Sequence, residues 1–228
     1  MSTRNPPTAP MRKDSMRNRA ALLAAARAAF ADEGLNAALE GIARRAGVAI
    51  GTLYRHFPTR MDLVTAAMAE KNLAWIKAAQ AAVTMEPAWD GLTFFLDRMC
   101  ELQAGDLAFS DITSMRFASA PRIESASRRA YDLCRRIVER AQAEGSLRTD
   151  VTAEDLAFVV WAVSRVSEAT HGIDPHAWRR YLALTLDGFR ASAARPLPTP
   201  PLRPRQVLRA QLRLGHRRLR DTARPPAR

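Results

Sequence analysis

The chain has 228 residues, 47% of them apolar, and its 35 Lys and Arg against 23 Asp and Glu give a net charge of +12. A chain of this size can bury a substantial core and corresponds to one or two domains. It has no apolar run of the roughly 18 residues that a membrane span needs, so we predict no transmembrane helix. Residues 1–15 lack the apolar segment of a secretion signal, and we therefore expect a cytoplasmic protein.

The charge is concentrated at the two ends of the chain. Residues 1–60 carry +6 and residues 195–228 carry +9, which leaves −3 for residues 61–194. A mildly acidic body between two basic ends predicts that the ends meet a polyanion. For residues 195–228 the alternative is simply a solvated basic surface.

Apolar spacing predicts an all-α chain of about nine helices with short connections. The predicted segments end near glycine or proline, and they cover residues 15–33, 39–46, 50–57, 60–84, 87–104, 106–117, 121–144, 153–171 and 175–193. Thr152 and Asp155 have the spacing of a capping box, and Asp174–Pro175 that of a helix start. Two stretches, 1–14 and 195–228, are rich in proline and polar residues, and we expect a flexible arm and a disordered tail.

The helix predicted over residues 50–57 divides into two faces. Ile50, Leu53 and Phe57 share one arc with Tyr54 at its margin, while the opposite arc carries Gly51, Thr52, Arg55 and His56. The polar arc suits DNA: Gly51 lets a phosphate approach the helix start, hydroxyl and imidazole groups donate to phosphates, and Arg55 can reach either a guanine edge or a phosphate. A four-residue turn containing Gly47 joins it to helix 39–46, as in a helix-turn-helix. The alternative is an amphipathic helix whose polar face is merely hydrated.

Two stretches carry a family resemblance, ALLAAARAAFADEG at 21–34 and IARRAGVAIGTLYRHFPTRMDLV at 42–64. They resemble the DNA-binding domain of the tetracycline-repressor (TetR) family of bacterial transcriptional regulators. The resemblance implies a homodimer that binds a pseudo-palindromic operator in double-stranded DNA. It also implies a small-molecule effector that releases the repressor, and a cytoplasmic, nucleoid-associated location.

The resemblance divides the chain into four parts. These are a flexible basic arm at 1–14, a helix-turn-helix domain at 15–62, an effector-binding and dimerisation domain at 63–194 and the tail at 195–228. The implied DNA contacts come from Thr52, Tyr54, Arg55 and His56, with Arg60 on a phosphate. Two positions where the family often has a hydroxyl are Leu39 and Ala49 here. We expect Arg44, Arg45 and the basic arm to supply compensating charge, backbone amides and Gly51 to contact phosphate, and Ile50 to touch a thymine methyl.

The resemblance assigns dimerisation to helices near 156–171 and 175–193, whose apolar faces include Leu156, Val159, Val160, Val163, Val166, Trp178, Tyr181, Leu182, Thr185 and Phe189. An intramolecular core is the alternative. Aromatic and Met residues suit an adaptable apolar effector pocket, with ordinary core packing as the alternative. The candidates are Trp75, Phe95, Met99, Met115, Phe117 and Tyr131, with Phe94, Phe109 and Cys134 beside them.

Other functional classes find little support in the sequence. None of the motifs GxSxG, HExxH, GxGxxG or a P-loop occurs, so we predict no enzymatic activity and no cofactor. The two cysteines, Cys100 and Cys134, form no CxxC, and the break between His171 and His176 spoils helical ligand spacing, so no metal site is expected. The remaining alternative is a sequence-blind nucleic-acid-binding protein driven by the basic tail.

Overall fold

A computed structural model describes the backbone of residues 9–114, 121–170 and 172–222, and the side chains of residues 13–113, 128–170, 172–192 and 194–214. Within those residues the chain forms eleven α-helices, two short 3-10 helices and no strand, which confirms the all-α prediction. The chain divides into two compact units, Met1–Glu70 and Lys71–Arg228. No described helix is long and apolar enough to cross a membrane.

The first unit packs three short helices against one long one. The helices are α1 (Ala9–Glu33), α2 (Leu39–Arg45), α3 (Ile50–His56) and α4 (Arg60–Ala67). Each buries the apolar side chains that its three- and four-residue spacing places on one face, namely Leu22, Ala26, Phe30, Ile42, Leu53, Phe57, Leu63 and Val64. This unit holds the predicted helix-turn-helix.

The second unit is a bundle around one apolar core. Its helices are α5 (Ala69–Ala82), α6 (Ala88–Gln103), α7 (Leu107–Ser114), α8 (Pro121–Ala143), α9 (Ala153–Thr170), α10 (Ala177–Phe189) and α11 (Pro204–Thr222), and α5 begins two residues before the division. Its largest fully buried side chains include Trp178, Phe95 and Phe109. The domain boundary that the sequence predicts between residues 62 and 63 falls inside α4. This helix packs on α1 in the first unit.

Several predicted helix limits need correction. The helix expected over 60–84 is two helices separated by Met68. Of the segment predicted at 106–117, Leu107–Ser114 form α7, where Phe109 N–H donates to Asp106 Oδ1 at 2.8 Å, and residues 115–117 lie outside the described residues. Helix α10 begins at Ala177, not Pro175, because the Asp174 carboxylate accepts the N–H of His176 at 2.8 Å in a turn before the helix. The capping box predicted for Thr152 and Asp155 is half formed. The backbone N–H of Thr152 donates to Asp155 Oδ2 at 2.8 Å.

The predictions of a flexible arm and a disordered tail at the two ends of the chain also differ from the structure. Helix α1 begins at Ala9, so residues 9–14 of the predicted flexible arm are helical, whereas residues 1–8 lie outside the described residues. Helix α11 covers Pro204–Thr222 within the tail that we expected to be disordered. Pro204 stands at the first helical position, and Arg203 N–H donates to Gln206 Oε1 at 2.8 Å, which together make a helix start that compositional reasoning missed.

The apolar faces assigned to dimerisation are largely internal. Six of the ten residues are buried in the core of the second unit, namely Leu156, Val159, Val160, Val163, Trp178 and Leu182. Val166 and Phe189 are partly buried against the same core. Their apolar character therefore serves the fold of one subunit.

Gly91 marks a close approach of α6 to the end of α5. A Cβ at this position would lie 2.3 Å from the carbonyl oxygen of Ala82, well inside contact distance. We expect Gly91→Ala to lower the free energy of unfolding by about 1–3 kcal/mol, because backbone must move to admit the methyl group. Chemical denaturation measures the change.

Gly188→Ala is the matched control in the same unit. A Cβ on Gly188, in α10, meets nothing within 4 Å. The control should leave stability unchanged or raise it by up to about 1 kcal/mol through helix propensity. Equal stability of the two variants would contradict the close approach at Gly91.

Candidate nucleic-acid interface

The turn between α2 and α3 depends on a left-handed glycine. Gly47 has φ +70°, and the N–H groups of Gly47 and Val48 donate to Arg44 O at 3.1 Å and Ala43 O at 3.1 Å. A side chain at Gly47 would be strained in this conformation. The turn thereby closes the end of α2 and redirects the chain into α3 within four residues.

Helix α3 presents the face that its sequence predicts. Leu53 is 1% exposed and Phe57 is 2% exposed, so these two side chains anchor the helix inward. Among the other residues of the helix, Gly51, Tyr54 and Arg55 are exposed, while Thr52, His56 and Ile50, which shares the inward arc, are half-buried. Arg55 Nη2 donates to Thr52 Oγ1 at 3.0 Å, so two of the predicted contact residues lie together on the outer face. Hydroxyl, guanidinium, phenol and imidazole groups thus converge on one short exposed surface.

The start of α3 is uncapped and open. Ala49 occupies the N-cap position with extended backbone, and no side chain there accepts a hydrogen bond from the first turn. A Cβ on Gly51 would meet nothing within 4 Å. The fold itself therefore does not require glycine at position 51, unlike the turn at Gly47.

Arg60 has partners other than a phosphate. Its Nη1 donates to the carbonyl oxygens of Leu35 at 3.0 Å and Ala37 at 2.6 Å, which ties the start of α4 to the loop after α1. Thr59 and Asp62 form a reciprocal capping box at the same helix start, with Asp62 N–H donating to Thr59 Oγ1 at 3.1 Å. The guanidinium that we expected on DNA is thus partly engaged inside the fold.

The remaining predicted cations lie on α2. Arg44 and Arg45 are both exposed, and Arg45 Nη2 lies 3.6 Å from Glu33 Oε1 in an exposed ion pair. Such a pair is weak and opens readily. Both guanidinium groups are consequently accessible to a polyanion.

Two parts of the chain match known families. Residues 22–67 match the profile of bacterial regulatory proteins of the tetR family, and residues 86–191 match the C-terminal domain of SbtR-like transcriptional regulators. The chain belongs to the TetR family. No curated protein matches the sequence.

Three solved structures of TetR-family regulators are similar to this chain, and the first two share its fold. The ketosteroid regulator KstR2 of Mycobacterium tuberculosis is 23% identical, with a TM-score of 0.56 over 75% of this chain and 94% of that one. The regulator FadR of Bacillus subtilis, solved with stearoyl-CoA, is 18% identical, with a TM-score of 0.58 over 77% and 99%. The regulator SCO0520 of Streptomyces coelicolor is 29% identical over 75% and 98%, with a TM-score of 0.49.

Sequence reasoning missed one cation beside α3 of this TetR-family protein. The guanidinium carbon of Arg19, on α1, stands 5.1 Å from the centre of the Phe57 ring. The ring centre of His56 also lies 6.3 Å from that of Phe57. Arg19 precedes buried Leu22 and Ala26 by three and seven residues, so helical spacing could have placed it on the packed face.

The predicted effector-contact residues fall into different environments. Phe95 and Met99 are buried core residues, and the half-buried Trp75 packs on Phe95 with ring centres 6.3 Å apart. Tyr131 donates to Glu154 Oε1 at 2.9 Å, and burial together with this bond raises the pKa of Tyr131 to about 12. Met115 and Phe117 lie outside the described residues.

Of the neighbouring candidates, Phe94 lines a surface cavity. Phe109 is buried, and Cys134 is partly buried against the core. Phe94 borders a surface depression of about 350 Å³, together with Thr93, Asp97, Arg179, Leu182, Ala183 and Leu186. No group of three or more metal-ligating side chains occurs among the described residues.

Replacing Arg60 separates its internal role from a DNA-binding role. We expect Arg60→Ala to lower the free energy of unfolding by about 1–3 kcal/mol, because two carbonyl oxygens lose a charged donor. Thermal or chemical denaturation of the full chain measures this loss.

Arg44→Ala provides the control, since Arg44 is an exposed arginine of the same unit. Its effect on stability should stay within about 0.5 kcal/mol. Equal stability of the two variants would show that the Arg60 contacts contribute nothing to the fold.

Proposed function

We propose that this TetR-family transcriptional regulator is a repressor. It binds a pseudo-palindromic operator as a homodimer and leaves it when a small molecule binds the second unit. The observation that carries the DNA-binding part is the outer face of α3, where Thr52 and Arg55 are hydrogen-bonded to each other beside exposed Tyr54 and half-buried His56. A helix with this face, held by buried Leu53 and Phe57, fits a major groove.

Each residue of that face has a distinct proposed role. Tyr54, Thr52 and His56 donate to phosphates, which set the register of the protein on the duplex. Arg55 reads a base, because a guanidinium can bond both acceptors of guanine at once. Ile50 touches a thymine methyl, and Gly51 lets the phosphate backbone approach the uncapped start of α3. Arg44 and Arg45 add sequence-independent attraction.

Dimerisation is proposed through α9 and α10. The packing of their inner faces leaves an outer surface that includes Tyr181, 38% exposed, and Leu184, 59% exposed, on α10. On α9 the half-buried rings of Phe158 and Trp161 meet edge to face, with centres 5.1 Å apart. These outward aromatic and aliphatic groups, rather than the buried valines, are the candidates for contact with a second copy.

An organic effector fits the second unit. The B. subtilis relative holds stearoyl-CoA on the same fold. We propose Trp75, Phe95, Met99 and Tyr131 as effector contacts, because aromatic and sulfur-bearing side chains suit an apolar ligand. Membership of a bacterial regulatory family supports a non-catalytic protein that acts on the nucleoid in the cytoplasm.

Selection of bound duplexes from random sequence tests the proposal directly. We expect a short motif with two-fold symmetry and a matching footprint. Arg55→Ala should relax selection at one base pair in each half-site and weaken operator binding by about 1–3 kcal/mol per affected contact. Unchanged selection by Arg55→Ala would remove Arg55 from base reading.

Gly51→Ala tests close approach of the phosphate backbone. The methyl group meets nothing in the free protein, so the variant should gain about 0.5–1 kcal/mol of stability from helix propensity. Operator affinity should nevertheless fall, because the methyl group would stand between α3 and the phosphate. Denaturation and a binding titration on the same sample measure the two opposed effects.

Gly41→Ala is the matched control, since Gly41 lies inside α2 with only an ordinary contact, 3.9 Å, to the Cβ of Ala38. It should gain stability without losing operator affinity. If Gly51→Ala bound the operator as tightly as Gly41→Ala, no phosphate would pass close to Gly51.

A further inference from the structure

The C-terminal extension lies outside the two matched family regions, of which the second ends at residue 191. Residues 195–228 contain ten arginines, no lysine and one acidic residue, and they hold +9 of the net +12 charge. The all-arginine composition matters because guanidinium groups bind phosphate oxygens in pairs and are weakly hydrated.

The C-terminal extension is held to the helical bundle at its first residue, Arg195. Arg148, 8% exposed, is paired with Asp150 at 2.6 Å and donates through Nη2 to the carbonyl oxygen of Arg195 at 2.6 Å. The same guanidinium donates to Gly188 O at 3.3 Å, at the end of α10. Residues 196–203 then include four prolines, which make a stiff spacer of up to about 25 Å.

Helix α11 follows the spacer and carries a regular row of arginines. Arg205, Arg209 and Arg213 recur every four residues, and all three are exposed. On a helix they stand about 6 Å apart along the axis and within an arc of about 80°. A duplex offers one phosphate charge per roughly 1.7 Å of its axis, so each guanidinium has a phosphate within reach.

The opposite side of α11 faces the protein. Val207 is 7% exposed, and Ala210, Gln211 and Leu212 are half-buried. Val207 lies about 160–200° around the helix from Arg205 and Arg209. The buried side therefore orients the row of arginines toward solvent.

We propose that α11 is a second DNA-binding element, which holds the phosphates of duplex DNA without reading their sequence. Arg205, Arg209 and Arg213 form its described contact surface. This binding does not depend on operator reading by α3, because phosphate contacts carry no sequence information. Its effect is to raise the affinity for all duplexes and to keep the protein on DNA between operators.

Duplex DNA fits α11 better than a lipid surface does. Helices that lie in a membrane interface insert a broad apolar face that is rich in Trp, Phe and Leu. Residues 204–222 contain no aromatic residue, and Val207 is already buried in the protein. Leu208 and Leu214 are 37% and 39% exposed and stand about 120° apart around the helix, and Leu212 beside them is half-buried, so little apolar surface is free to insert into a membrane.

The test compares the full chain with the variant R205Q/R209Q/R213Q. Glutamine keeps helix propensity and removes the charge. Binding to a random 30-base-pair duplex is titrated over a range of salt concentrations. We expect the slope of log affinity against log salt to shrink by about 2.7 for three lost phosphate contacts. Affinity at low salt should fall at least about 10-fold, while the motif selected from random DNA stays the same.

Two further variants make the result decisive. R98Q/R135Q/R165Q removes the same charge from arginines that are ion-paired with Glu101, Glu139 and Glu168, and it should leave the slope nearly unchanged. R205K/R209K/R213K keeps the charge and should retain most of the slope.

Three outcomes would overturn the proposal. They are an equal loss of slope in the R98Q/R135Q/R165Q control, an equal loss in the lysine variant, and an unchanged slope in the glutamine variant. Binding of the full chain to anionic phosphatidylserine vesicles that the glutamine variant loses, with DNA binding unchanged, would assign α11 to membranes instead. Failure of sequence selection by every protein, including the unmodified chain, would count against the repressor proposal and not against α11.

Discussion

The burial of Leu53 and Phe57 is the constraint on which the proposed DNA-binding face depends. Helix α3 has seven residues, and a helix this short does not form alone in water. The burial of these two side chains stabilises the helix and fixes its rotation about its own axis. That rotation sets the direction of every other side chain of the helix. Arg19 covers the Phe57 ring from α1, and the glycine turn at Gly47 sets where the helix starts. The polar face is therefore held in place by apolar packing on its reverse side.

The α2–α3 pair could be predicted from sequence because its signals are local. Periodicity over eight residues separates Leu53 and Phe57 from Gly51 and Arg55, and the structure places all four accordingly. Arg60 shows the opposite case. Its carbonyl partners lie 25 and 23 residues earlier in the chain, at Leu35 and Ala37. No spacing rule connects residues so far apart, so the sequence could not predict these internal bonds of Arg60, and its phosphate contact stays a prediction.

The second unit shows a different limit of sequence reasoning. An apolar helix face predicts burial but not the partner that buries it. Val159, Val163 and Trp178 therefore suited a dimer interface as well as the subunit core in which they lie. Composition also failed at residues 204–222, because proline and arginine favour disorder on average, whereas one proline at a helix start favours order. The effector remains beyond sequence reasoning, since core and pocket use the same residue types.

Gly51 and Gly91 are under different constraints as the sequence diverges. At position 91 a methyl group collides with a carbonyl oxygen of the protein itself, whereas at position 51 it meets open space. Selection for folding alone would thus preserve glycine at 91 in any descendant, whatever DNA it binds. At 51, under the proposed phosphate contact, glycine would persist only in lineages that keep that contact. In a descendant that no longer binds an operator, a larger residue could replace Gly51, whereas Gly91 would stay. The residues at these two positions would therefore indicate whether a descendant still binds DNA.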